Sequence, residues 1–194
     1  MEKLNIGIIG LGRVSQIAYL AQLVKNKKIN SISICDTNFE LLKKISNKYN
    51  ISKYYSKYQK MLENEDLDLI FLIVNRFFGE NLAEKILKHK KKFVLFSEKP
   101  FALSLKRANK LVKLAQKKNK TFLVGYMKRC DDGIKILKNE INKLNLGRIS
   151  SVDYNSFDGN SFDSQEKYIK YNFKKISKKK NTAELKFLNT QCHS

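Results

Sequence analysis

Residues 4–15, LNIGIIGLGRVS, run from an apolar stretch through two glycines into a segment of helical period, and this junction limits the fold more than any other feature. The stretch 4–9 (LNIGII) lacks polar alternation, so it reads as a strand buried on both faces, as in a parallel sheet. The same pairing of short apolar runs with helical segments recurs over the next hundred residues. Strands are expected at 29–35 (INSISIC), near Tyr54, at 68–74 (DLIFLIV), 93–96 (FVLF) and 121–126 (TFLVGY). Helices are expected at 14–25, 38–49, 58–63, 79–90 and 104–118. Val14, Ile17, Ala18, Ala21 and Val24 form one apolar stripe on the first helix, and Leu41, Leu42, Ile45 and Tyr49 form one on the second. Strands that alternate with helices indicate βαβ units, so the fold class is α/β, a doubly wound parallel sheet over residues 1–125.

The pattern changes after Tyr126. Residues 131–145 have helical period, with Ile134, Leu137, Ile141 and Leu144 in phase, and Gly147 is expected to stop that helix. Residues 148–158 (RISSVDYNSFD) alternate as a half-buried strand does. Beyond Asp158 the order fades, and 174–180 (KKISKKK) is a charge run in a solvated or disordered tail. Residues 126–194 are therefore expected to form an incomplete α+β second domain.

Composition removes several function classes. No apolar run reaches the roughly 18–20 residues that cross a bilayer. Met1–Leu4 leads straight into the first strand rather than into a leader, so a cytoplasmic protein is expected. Cys35, Cys130 and Cys192 are far apart and form no pair of metal-ligand spacing, so no metal site is expected. The net charge of +21 raises nucleic acid as a partner. However, the charge is mostly lysine, in groups such as Lys27-Lys28, Lys43-Lys44, Lys90–Lys92 and Lys117-Lys118 near helix ends, where solvated lysine is ordinary. Arginine, which reads guanine bidentately, is scarce. Surface charge is the favoured reading over a nucleic-acid site.

Three places carry chemistry. At the Gly10-Leu11-Gly12-Arg13-Val14-Ser15 turn, Gly10 permits the tight bend and Gly12 lets a pyrophosphate approach the backbone at a helix N-terminus. Ser15 stands where a third glycine would be and is small enough for helix and strand to pack. With a strand before and a helix after, the turn reads as a Rossmann-type dinucleotide site. Asp36 ends the second strand, where a carboxylate can accept hydrogen bonds from the adenosine ribose and repel a 2′-phosphate. It could instead cap the helix that starts near Asn38. Asp36 favours NAD, while Lys43 and Lys44 leave NADP open. Ser97-Glu98-Lys99-Pro100 follows the fifth strand at the carboxyl end of the sheet, where ligands bind. There Lys99 could polarise a hydroxyl or carbonyl and Glu98 could orient it. Read alone, Glu-Lys-Pro is also a common charged turn.

IGIIGLGRVSQI at 6–17, CD at 35–36, SEKPFALSLKRANKLVKLA at 97–115, VGYMKRCDDGIKILK at 124–138 and LGRISSV at 146–152 together resemble the Gfo/Idh/MocA family of nicotinamide-dependent oxidoreductases. The resemblance spans about residues 4–158. It implies that Gly10, Gly12, Arg13, Val14, Asp36, Glu98 and Lys99 hold NAD, and that Lys99 also meets the reacting hydroxyl as the catalytic residue. By the same resemblance Tyr126 and Arg129 lie at the mouth of the substrate cleft. The substrate would be a secondary alcohol of a sugar, nucleotide sugar or polyol, and the protein a homo-oligomer.

Two departures stand out. Where the family has a Thr-Pro-type turn and then a histidine, this chain reads Val74-Asn75-Arg76-Phe77-Phe78-Gly79, and no role is carried to those positions. The family's second domain, which brings an acid–base histidine and the subunit interface, is represented only by its opening helix and first strand, as in a chain cut short. Of the two histidines, His89 is expected to be solvated in a lysine-rich helix end and His193 lies in the tail. Three readings follow. They are a sugar or polyol dehydrogenase, a catalytically incomplete cofactor-binding remnant of one, and a basic nucleic-acid-binding protein on a Rossmann scaffold. Oxidoreductase is the family reading, and the remnant is placed slightly ahead for this polypeptide's own turnover. An exposed apolar face in the half-built second domain would favour self-association.

Overall fold

The computed structural model describes residues 2–145 and 147–153. They fall into two units, Met1–Gly125 and a second that begins at Tyr126. Six parallel strands form the sheet of the first unit. These are β1 (Leu4–Ile9), β2 (Ile29–Cys35), β3 (Lys53–Tyr55), β4 (Leu69–Leu72), β5 (Val94–Ser97) and β6 (Phe122–Val124). Their spatial order is β3-β2-β1-β4-β5-β6, so the chain winds outward from β1 in one direction and then from β4 in the other. Ile6 lies opposite Ile32 of β2 and Leu69 of β4.

Alternate residues of each strand feed two separate cores, as the two-residue period of a strand requires. Ile6, Ile8, Ile34, Phe71 and Ile73 face one layer of helices, where they meet Leu20, Leu42 and Ile45. Ile9, Cys35, Ile70, Leu72 and Leu95 face the other, where they meet Met61, Ala83, Leu87 and Leu111. The helices are a wide π-type helix (Ser15–Leu20) running into α1 (Ala21–Leu23), then α2 (Phe39–Tyr49), α3 (Tyr58–Asn64), α4 (Arg76–Leu87) and α5 (Leu105–Lys117). The doubly wound α/β sheet expected from the sequence is the fold observed.

Three local expectations are corrected within this frame. On the first helix, Val14 and Ile17 are exposed at 53% and 63%, and Ala18 is exposed too, so the first part of the apolar stripe does not face the sheet, while Val24 at its end packs against the core. The buried positions are Ser15 and Leu20, five residues apart, because π-type turns shift the phase away from 3.6. The fourth helix begins at Arg76 rather than 79, because the Asn75 side chain accepts a hydrogen bond from the Phe77 amide at 3.1 Å and caps it. Accordingly, β4 closes at Leu72 rather than 74.

In the second unit a 3₁₀ turn (Met127–Cys130) precedes α6 (Asp132–Leu144), which Asp131 caps by accepting from the Gly133 amide at 2.9 Å. Asn145, in the left-handed conformation with φ 48°, closes α6 two residues before Gly147. Residues 148–153 pair with no strand among the described residues. The rest of the strand expected at 148–158, the tail, Cys192 and His193 lie outside the described residues. Along α6 the in-phase residues Ile134, Leu137 and Leu144 are 41%, 55% and 64% exposed.

Lysines close several helices. Lys48, Lys85, Lys117 and Lys143 stand in the last turns of α2, α4, α5 and α6, where the helix dipole favours a cation. Between α4 and α5, Arg107 donates through Nε to Glu80 at 3.2 Å, through Nη1 to Glu84 at 3.0 Å and through Nη2 to Asn81 at 2.7 Å. Lys88 and Lys110 also reach Glu84, at 2.9 and 3.0 Å. Their hydrogen bonds, led by that of Lys88, hold the Glu84 carboxyl down at about 2 from an ordinary 4.5. A lowered carboxyl pKa stabilises the fold above the ordinary value, and that stability is lost as pH falls from 4.5 through about 2. Thermal melts of wild type and Glu84→Gln should therefore differ at pH 6 and converge near pH 2.

Candidate functional site

The sheet order reverses between β1 and β4, and the carboxyl ends of those two strands are where a doubly wound sheet opens a crevice for ligand. Gly10 leaves β1 with φ 92°, a conformation that side chains rarely adopt. Its amide donates to the Cys35 carbonyl at 2.8 Å, tying the turn to the end of β2. A Cβ at Gly10 would collide with the Ile73 carbonyl oxygen beyond β4, so only glycine lets the turn pass so close to the neighbouring chain.

Gly12 is different. A Cβ there would meet nothing within 4 Å, so the fold itself does not require glycine at this position. Helical structure begins at Arg13, and the helix carries no side-chain cap and no acidic residue in its first turn. Among the other helices α2, α4, α5 and α6 are capped by side chains, whereas α3 is not. An uncapped N-terminus with open space over a glycine fits a bound pyrophosphate. Gly12, Arg13 and Val14 are exposed at its rim, while Ser15 is fully buried where helix meets sheet. Its hydroxyl has no hydrogen-bond partner.

Asp36 follows β2 and grips the turn. Oδ2 accepts from the Leu11 amide at 2.7 Å and Oδ1 accepts from the Asn38 amide at 2.8 Å. Asp36 is therefore not the cap of α2; Asn38 is, through Oδ1 accepting from the Leu41 amide at 3.0 Å. Asp36 stays partly exposed at the rim of the turn. On α2, Lys43 lies over the Phe39 ring at 5.2 Å.

The Glu98-Lys99-Pro100 segment leaves the carboxyl end of β5. The Glu98 amide donates to the Leu72 carbonyl at 3.1 Å, which ties the segment to the end of β4. The Lys99–Pro100 peptide bond is cis. Glu98 Oε2 accepts from the Lys99 amide at 3.0 Å, and Oε1 accepts from the Tyr19 hydroxyl. Burial, then the Glu98 carboxylate, raises the Tyr19 phenol well above its ordinary range. Lys99 is half-buried.

The first unit thus brings Gly10, Gly12, Arg13, Val14, Asp36, Glu98 and Lys99 to the carboxyl ends of its strands. Tyr126 and Arg129 belong to the second unit, at the start and within the turn Met127–Cys130, and both are exposed. His89 is half-buried rather than solvated, stacking on Phe93 at 6.3 Å. Burial and neighbouring lysines lower its pKa. It precedes β5 while Lys99 follows it, so it sits at the wrong end of the strand to serve as a base for Lys99. Lys120, before β6, is likewise at the amino end. Burial, with Lys118 nearby, lowers its pKa to about 8, and its ammonium lies 3.8 Å over the Phe93 ring. A cleft of about 320 Å³ lined by Val24, Ile29, Asn30, Tyr49 and Lys53 also opens among the amino ends of β2 and β3, far from this chemistry. Among the described residues no cluster of three metal-ligating side chains forms, and no helix is long and apolar enough to cross a membrane.

Comparison with known proteins fits this geometry. The family model described as Gfo/Idh/MocA oxidoreductase, NAD-binding Rossmann fold, matches residues 4–126. Myo-inositol 2-dehydrogenase of Thermotoga maritima is 25% identical over 146 residues, 75% of this chain and 42% of that protein. Inositol 2-dehydrogenase of Salmonella typhimurium is 26% identical over 149 residues, 75% of this chain and 43% of that protein. Myo-inositol 2-dehydrogenase from Lactobacillus plantarum superposes with a TM-score of 0.67 at 25% identity, over 76% of this chain and 43% of that one. The chain thus spans about two fifths of the length of the curated relatives it matches.

Proposed function

Because this chain belongs to the Gfo/Idh/MocA family of oxidoreductases, with an NAD-binding Rossmann fold, we propose that it binds NAD(H) at the Gly10–Ser15 turn and serves oxidation of a secondary alcohol on a cyclic polyol or sugar. The observation that carries the reading is Gly12. Open space over an uncapped helix N-terminus has no use in the packing of the chain itself and suits a pyrophosphate.

In this reading Gly10 sets the bend, and the amides after Gly12 receive the phosphates. Arg13 and Val14 border them at the rim. Asp36 holds the turn in place and presents negative charge where the adenosine ribose would lie, which favours NAD over NADP. Oxidation of a secondary alcohol removes a hydride from carbon and a proton from oxygen. Hydride acceptance is the chemistry that the nicotinamide supplies when bound. Lys99 Nζ, in its neutral amine form, takes up the hydroxyl proton and becomes the ammonium, and Glu98 holds the Lys99 backbone at the end of β5. Tyr126 and Arg129 are the substrate-binding residues proposed for the second unit. The relatives named for inositol oxidation make an inositol-type polyol the first substrate to try. A cytoplasmic location and a homo-oligomeric assembly belong to the same proposal.

Calorimetric titration of the purified chain with NADH and NADPH tests it. Saturable NADH binding, with NADPH at least about tenfold weaker, is the expected result. A folded chain that takes up neither coenzyme would sink the proposal.

A further inference from the structure

Sequence pattern gives Tyr19 no role, yet its hydroxyl is the donor to Glu98. The Tyr19 ring, on the first helix, packs against both Phe71 and Phe96, each with its centroid 5.6 Å away, and those two rings are 5.1 Å from one another. Gly125, just past β6, lies close against the pair. Its amide donates to the Ser97 carbonyl at 2.9 Å. A Cβ on it would stand 2.8 Å from Phe96 Cζ, 3.1 Å from Glu98 Oε1 and 3.3 Å from the Tyr19 hydroxyl. Four elements converge on one side-chain hydrogen bond: the first helix, β4, the end of β5 and the end of β6. An aromatic ring alone would fill that space, so the hydroxyl must be explained by what it holds.

What it holds is a carboxylate whose second oxygen receives the Lys99 amide. We propose that Tyr19 is a positioning residue, fixing the Glu98 carboxylate so that Glu98 fixes the backbone of Lys99 at the carboxyl end of β5. The functional meaning rests on the reading of Lys99 given above, but the linkage itself is a property of the chain. Burial and the facing carboxylate keep the phenol protonated, so Tyr19 donates throughout the working range of pH. The arrangement also joins the helix that would receive the coenzyme phosphates to the turn that carries the proton acceptor. Placement of Lys99 is thereby tied to the position of the first helix.

The test is competitive acylation of lysines in the free protein across pH, read by peptide mass spectrometry, with the ε-amine of Lys99 as the target and that of Lys120 as the control. Tyr19→Phe retains the ring and deletes only the donor. The expected result is a shift of about half a unit or more in the Lys99 midpoint, roughly a threefold change in its rate below that midpoint, with Lys120 unchanged. Gly125→Ala, which keeps both side chains and crowds their bond, should move Lys99 in the same experiment. Circular dichroism verifies that each variant is folded, and a purely structural role for Tyr19 would lower the melting temperature without singling out Lys99. Unchanged Lys99 labelling in folded Tyr19→Phe and Gly125→Ala would overturn the inference. Absent NADH binding by the wild type would overturn the oxidoreductase reading and leave this labelling outcome intact.

Discussion

Gly12→Asp should leave the melting temperature where it is and abolish NADH binding, while Gly10→Ala should do the reverse damage and cost the fold itself. The two glycines sit two residues apart in one turn, but the structure gives them opposite reasons to exist. At Gly12 a Cβ meets no atom of the chain, so a side chain is sterically free in the unliganded protein. An aspartate there would place bulk and negative charge where the pyrophosphate approaches, and a hundredfold or greater loss of affinity, about 2.7 kcal/mol, is a modest expectation. Gly12→Ala should weaken binding less, because it adds bulk without charge. At Gly10, φ is 92° and the added methyl would press on the Ile73 carbonyl. Left-handed backbone at a non-glycine residue costs about 1–2 kcal/mol and overpacking a further 1–3 kcal/mol. For a chain of this size that corresponds to a fall of roughly 5–15 °C in melting temperature. Calorimetry and thermal melts on the three variants separate the two roles. NADH binding by Gly12→Asp at wild-type affinity would remove the coenzyme from this turn altogether.

Much of this arrangement can be read from the chain because it depends on local patterns. A strand buried on both faces must lack polar alternation, and LNIGII shows where β1 lies. The glycine pair between strand and helix can be read for the same reason, since a tight turn and a close approach both demand the loss of Cβ. Wherever the determinant was a side chain returning to the backbone, the pattern misled. Asn75 moves the start of α4 forward by three residues, because a cap is a single hydrogen bond and leaves no period behind. The first helix misleads for a different reason. Its π-type turns rotate Val14, Ile17 and Ala18 outward, and a stripe counted at 3.6 residues per turn cannot anticipate that. Tyr19 leaves no local signal because its partner is 79 positions away in sequence. Only the β1–β4–β5 arrangement of the sheet brings the phenol and Glu98 together.

Asp36 provides the second large effect, because one carboxylate serves both stability and coenzyme choice. Asp36→Ala would leave two amides without their acceptor, and these are not equivalent. Leu11 is fully buried, so its amide cannot turn to water, and stranding it costs about 1–3 kcal/mol. Asn38 is exposed, so its amide finds solvent at little cost. The alanine variant should therefore melt several degrees lower and bind NADH poorly, since the turn it held is released. Asp36→Asn separates the two roles. Its single carbonyl oxygen can keep the Leu11 amide, and its amino group can face the solvated side, so most of the stability should return. What asparagine cannot restore is the negative charge that opposes a 2′-phosphate. NADPH affinity should rise relative to NADH by about tenfold, the scale of 1.4 kcal/mol, once that like-charge repulsion is gone. Melting curves and coenzyme titrations of both variants decide the matter. An asparagine variant that is stable yet keeps the wild-type preference would mean that discrimination comes from elsewhere in the turn and not from the Asp36 charge.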